Sequence, residues 1–145
     1  RPMTDQLSSP PGIDVEIRAR RRWPWIAGAI VAVLAVAALS RTAMVWHWSS
    51  LSPARKDGIA VSAGEPQAAA VRFALAFGII SAALLLFLAG IHLLAALLAL
   101  TAFGVTVPAF GHIIGSKIGG HTGDTIGAAQ QLTEIAVLAA LALAV

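Results

Sequence analysis

No Asp, Glu, Lys or Arg falls between Arg72 and Lys117. One helix needs about 20 apolar residues to cross a bilayer, and this stretch offers roughly twice that length. It therefore predicts two spans, near 73–88 and 93–109, joined by a tight hairpin at "LAGIH", around Ala89 to His92. A further uncharged run, "WPWIAGAIVAVLAVAAL", begins at Trp23, and a last helix is expected after Asp124. The expected class is all-α, a polytopic helical integral membrane protein with about four transmembrane helices. Composition agrees, since only 12% of the chain is charged where soluble domains have roughly 25%.

The first 22 residues read as a polar tail ending in arginines. Three prolines and several Ser, Thr and Asp break up residues 1–17, and "RARRRW" then sets Arg18, Arg20, Arg21 and Arg22 before the first span. A signal peptide has this order of regions, but a polar tail precedes it here and no clear small-residue cleavage site follows, which favours a retained transmembrane helix. Trp23 and Trp25 suit an interfacial belt, and Arg41 can snorkel from the far end. Residues 40–70 turn polar around "SPARKDGIAVSAGEPQ", where Pro53, Gly58, Gly64 and Pro66 mark a loop outside the hydrocarbon. One span followed by two puts this loop and residues 111–124 on one face, opposite the arginine cluster. Arg41, Arg55, Lys56, Arg72 and Lys117 oppose that cluster under the positive-inside rule. The net charge of +3 reads as topology and phosphate or lipid contact, with no nucleic-acid partner. Without cysteine, thiolate metal sites and disulfides are excluded. The chain opens on Arg1 and closes inside an apolar run, so a piece of something longer is expected.

One polar island stands out: "GSKIGGHTGDTIGAAQQLTE", residues 115–134. Gly111, Gly115, Gly119, Gly123 and Gly127 recur every fourth residue, with Gly120 added. Such a ladder can be a packing seam between membrane helices, or a backbone left bare so that amides reach a phosphate. Lys117 offers a point charge for phosphate oxygens, or snorkels at an interface. Asp124 offers a hard oxygen ligand for magnesium, or caps the last helix through Ile126 or Gly127. On that helix Gln131 returns to nearly the face of Asp124, and Glu134 lies about 80° round and about 15 Å along, so the three line a polar stripe. Glu134 is an intramembrane carboxylate and by default a functional candidate. His92, His112 and His121 form no metal spacing, and His47 in "WHW" reads as an interface residue. No nucleophile elbow, Walker loop or paired-histidine helix is found.

"KIGGHTGDTIGAAQQLTE" resembles the C-terminal signature of the adenosylcobinamide-GDP ribazoletransferase, or cobalamin synthase, family, at Lys117, Gly119, Gly120, Thr122, Gly123, Asp124, Gly127, Ala128 and Glu134. "LSRTAMV" and "SPARKDGI" resemble its arginine-bearing helix end and Pro-Ala-Arg loop, through Arg41, Pro53, Arg55 and Gly58. The likeness covers roughly 39–145. It implies a multi-pass enzyme of the bacterial inner membrane that, with Mg2+, joins adenosylcobinamide-GDP to alpha-ribazole or its 5′-phosphate and releases GMP. By the same resemblance Asp124 helps hold magnesium, with Lys117 and Glu134 in the catalytic set. Arg41, Arg55, Gly119, Gly120, Thr122 and Gly123 bind substrate, Arg55 and Lys117 at the phosphate oxygens. Two departures stand out. The family's aspartate-rich stretch, on a membrane helix of its N-terminal half, has no counterpart here, so a chain carrying that half is an expected partner. His121 takes a position expected to be aromatic or aliphatic. Two other classes fit the composition: a non-catalytic membrane protein, either a degenerate paralogue of the family or a subunit packing by its glycines, and a small transporter relaying through His92 and Glu134.

Overall fold

The computed structural model describes residues 13–55, 62 and 64–144, with side chains from Trp23 onward. Four helices account for nearly all of them: α1 (Ile13–Ser50), α2 (Ala68–Leu88), α3 (Leu93–Ile118) and α4 (Gly123–Ala144). Each is long and apolar enough to cross a membrane, α1 over Trp23–Ser50. The protein is an all-helical, multi-pass membrane protein.

Two helices outrun the lengths expected from the sequence. α1 does not stop at Ser40, because the hydroxyls that make the next residues polar are satisfied inside the helix. Ser40 Oγ donates to the Ala37 carbonyl, and Thr42 Oγ1 to that of Ala38. Helix propagation ends only before Pro53, which has no amide to donate. The 28 residues from Trp23 to Ser50 reach about 42 Å at 1.5 Å each, beyond a hydrocarbon core of about 30 Å. α3 likewise runs past Ala109 and through Pro108 to Ile118, and stops where Gly119 takes a left-handed φ of 81°. At the other end α1 has helical backbone from Ile13, inside the stretch expected to be a tail; residues 1–12 lie outside the described residues.

The hairpin between α2 and α3 falls where the sequence placed it. Gly90, at φ 72°, turns the chain, and His92 caps α3 by accepting the Ala95 amide at Nδ1, 3.1 Å. His92 Nε2 also lies 2.9 Å from the carbonyl of Ala144. The far end of the bundle therefore joins the α2–α3 turn to the end of α4. The near end gathers the end of α1, the described residues of the connection (51–55 and 64–67), the end of α3 and the start of α4. As the sequence anticipated, the connection and the glycine-rich segment share this face.

α1 and α4 are the central pair. α1 packs on α2 and α4, and α3 packs mainly on α4, while α2 and α3 touch little beyond their turn. Small residues let these helices approach: Ala35, Ala82, Ala95 and Ala99 are fully buried. Gly78 is the tightest case, since a Cβ there would run into Thr42 Oγ1. Interior chemistry is graded along the bundle. Leu86, Val137 and Leu141 fill the core toward the far end, whereas His47, His121, Thr125 and Thr133 are the buried groups toward the near end.

Candidate functional site

At the near end two loops are stitched together by backbone. The Ala54 amide donates to the His121 carbonyl at 2.9 Å, and the His121 amide donates to Ser52 at 2.9 Å, forming a parallel bridge between Pro53 and His121. Gly120 makes this contact possible. A Cβ at that position would collide with the Ser52 carbonyl and stand 2.8 Å from the Ala54 nitrogen, so the bare backbone is required by the neighbouring strand of loop.

The start of α4 is held by a threonine pair. Thr125 N donates to Thr122 Oγ1 at 3.2 Å, and Thr122 N donates to Thr125 Oγ1 at 2.8 Å. Two amides that the helix leaves without partners are thereby satisfied, in the reciprocal manner of a capping box. Thr122 is the cap, and Asp124 is not. The carboxylate of Asp124, in the first turn of the helix, is exposed and makes no hydrogen bond or ion pair with the described residues.

Beneath these loops lies a histidine cluster. His47 is fully buried, with Nε2 3.3 Å from Thr125 Oγ1 and its ring 5.2 Å from that of Phe110. His121, 1% exposed, lies near enough for the charges of the two rings to interact. Neither nitrogen of His121 has a hydrogen-bond partner, nor has His47 Nδ1. Burial pushes the His121 pKa below its ordinary value, with Glu65 pulling more weakly the other way. His47 is thus an interior ring, not the interfacial residue expected from "WHW". Its signal was the spacing Leu39, Ala43, His47, which follows the buried face of α1.

The bridge therefore brings together Arg55, which directly follows it, Gly119 and Gly120 at the end of α3, Lys117 in the last turn of that helix, and Thr122, Gly123 and Asp124 opening α4. Arg55, Lys117 and Asp124 are all exposed. Gly58 and Lys56 lie outside the described residues. Two candidates stand apart. Arg41 is nine residues back from the end of α1, about 14 Å along the axis, and its guanidinium turns back to the Ala37 carbonyl at 3.3 Å. Glu134 is half-buried in mid-helix, about 15 Å along α4 from Asp124. His92, the other half of the relay considered above, is at the far end and engaged in capping.

The glycine ladder divides into separate functions. Gly111 and Gly115 face the end of α1, with Trp46 and Leu51 beside them; Gly119 turns the chain; Gly120 admits the loop; Gly123 and Gly127 have open space above them. Only the first pair belongs to a packing seam.

Among the described residues no group of three His, Asp or Glu side chains could hold a metal ion. The unpaired carboxylate of Asp124 suits the mode in which magnesium takes one protein carboxylate and draws its other ligands from substrate phosphates and water. The polar cleft at this end, bordered by Trp48, Ser52 and Glu65, holds only about 170 Å³, less than the roughly 300–1,000 Å³ of typical ligand pockets.

Comparison with known proteins places these observations in a lineage. The family described as cobalamin-5-phosphate synthase matches residues 17–142. A Sinorhizobium protein named adenosylcobinamide-GDP ribazoletransferase is 63% identical over 118 residues, covering 81% of this chain and 45% of the relative. Relatives of the same name from Rhizobium meliloti and Brucella ovis are 59% and 37% identical, with 45% and 44% of their lengths covered. The chain thus spans less than half the length of the curated relatives it matches. No solved structure matches it.

Proposed function

Because this chain belongs to the cobalamin-5-phosphate synthase family, we propose that it supplies the diphosphate-handling end of a phosphotransferase in the bacterial cell membrane. That enzyme joins adenosylcobinamide-GDP to alpha-ribazole or its 5′-phosphate. A ribazole hydroxyl attacks the cobinamide-side phosphorus and loses its proton, and the bond to the bridging oxygen breaks as GMP departs. Charge on the phosphates is the main obstacle, so positioning and cationic groups carry most of the catalysis. Arg55 and Lys117 bind the phosphate oxygens, and the bare backbone from Gly119 to Gly123 lets the diphosphate come close. Asp124 contributes one carboxylate to a magnesium ion, which neutralises the diphosphate charge when bound.

The backbone bridge between Pro53 and His121 supports this reading, because it joins the segments that carry Arg55, Lys117 and Asp124 at one end of the bundle. A single loop would have shown only local charge. A non-catalytic packing role is favoured by the seam at Gly78 and Gly111, but that seam leaves the open glycines and unpaired charges of the near end unused.

The test is conversion of adenosylcobinamide-GDP and alpha-ribazole to a cobalamin product with magnesium. The chain is assayed in membranes alone and together with the part of the Sinorhizobium relative that lies outside the match. Product from the mixture that disappears in Asp124→Asn supports the proposal. Silence from chains shown to be folded and associated transfers the weight to packing.

A further inference from the structure

α4 presents two unlike faces. One is buried and carries Thr125, Ala129, Thr133, Val137 and Leu141. On the opposite side Asp124, Gly127 and Gln131 are exposed along the first half of the helix, with Glu134 half-buried at the margin. None of these polar side chains has a hydrogen bond or ion pair with the described residues, although the helix is long and apolar enough to lie in the membrane. Polar groups facing hydrocarbon carry a penalty that membrane proteins avoid by turning them toward other helices or water-filled cavities. From Phe73 to Val105 the exposed side chains of α2 and α3 are apolar, Phe77, Phe87, Leu93 and Val105 among them, apart from Thr101, whose hydroxyl donates to the Leu97 carbonyl; the exposed Arg72 and His112 lie toward the near end.

We propose that the Asp124–Gly127–Gln131 face of α4 is the docking surface for a membrane helix from the part of the family's chain that this chain does not span. The relatives are more than twice the matched length, so further chain of the same lineage exists to cover it. Gly127 leaves open space above the backbone, and a bare position of this kind lets a second helix approach closely. That helix presents hydrogen-bonding side chains to Gln131 and Glu134, and leaves Asp124, at the open end of the stripe, to the magnesium role proposed above. This inference rests on the family reading but reads packing, not turnover.

With no cysteine in the chain, single probes are clean. Spin labels are placed on Gln131→Cys and, as a lipid-facing control, on Phe87→Cys, and their exposure to dissolved oxygen is measured in nanodiscs. Spectra are compared with and without the unmatched part of the Sinorhizobium relative. Oxygen exposure at 131 is expected to fall several-fold when that part is added, with 87 unchanged. Unchanged exposure at 131 with the fragment bound overturns the proposal, as does protection at 87 instead. Protection at 131 in this chain alone that grows with concentration assigns the face to a second copy and also overturns it. Should the isolated fragment fail to fold or bind, labels at the aligned positions of the full-length Sinorhizobium relative decide: lipid-like exposure at the position aligned with 131 refutes the docking. Turnover without protection refutes only the docking, and protection without turnover refutes only the phosphotransferase reading.

Discussion

At the scale of single residues, the near end depends on backbone that nothing may crowd and on a ring that is hard to justify. Gly120→Ala pushes a methyl group into Ser52 and Ala54, so the two bridging hydrogen bonds must lengthen or break. At roughly 0.5–1.5 kcal/mol for each bond, it should lower the melting temperature in detergent as well as abolish any complemented activity. His121 behaves oppositely. Two unpartnered nitrogens in a buried ring are a burden, and an apolar ring of similar size removes them without loss of a hydrogen bond. His121→Phe should therefore melt no lower than the parent, and a lower melting temperature would show that a water or ion serves those nitrogens. Acid tests the same group. Burial depresses the folded pKa of His121 below its ordinary 6.5, so the unfolded chain binds more protons as pH falls through that value. Stability is full above about 6.5 and declines below it; among the described residues His47 from α1 and Glu65 from the connection are the titratable groups that face it. His121→Phe should flatten this acid limb in melting measured between neutral and mildly acidic pH.

At the scale of helices, glycines that look equivalent in sequence do different things. Gly78 was never part of the ladder, yet it is where α1 and α2 approach most tightly, against Thr42. Gly127 was, yet a side chain there meets nothing. Gly78→Leu should separate the two helices and strongly lower the melting temperature of the isolated chain, whereas Gly127→Leu should leave it unchanged. Melting followed by circular dichroism discriminates the pair, and equal losses would mean that the open face of α4 is already covered. Spacing by four cannot reveal this, because the left-handed turn at Gly119 divides the ladder between two helices that point in opposite directions. The hairpin at Gly90 and the number of spans were legible, since charge-free length and a glycine break follow directly from bilayer thickness. The ends of α1 and α3 were not. Serine and threonine hydroxyls that bond back to their own helix carry the same letters as those that open a loop.

At the scale of the molecule, an apolar far end and a polar near end divide structure from chemistry. The motif residues Arg55, Lys117 and Asp124 were legible because charge among glycines is conspicuous in a hydrocarbon chain. The histidine pair that underlies them was not, because His47 and His121 are far apart in sequence and meet only once α1 outruns the bilayer. The arrangement also separates two ways of failing. Arg55 and Lys117 are exposed and make no ion pair with the described residues, so their removal should leave melting unaltered. In the complemented enzyme, Lys117→Gln and Arg55→Gln should each lower kcat by about 10²–10³, the loss expected when one charge-stabilising group is taken from a transition state. A rise in KM at unchanged kcat would instead assign them to ground-state binding of the diphosphate. If either substitution lowers melting and turnover together, these cations hold the loops in place, and the phosphate contacts must come from elsewhere in the longer chain.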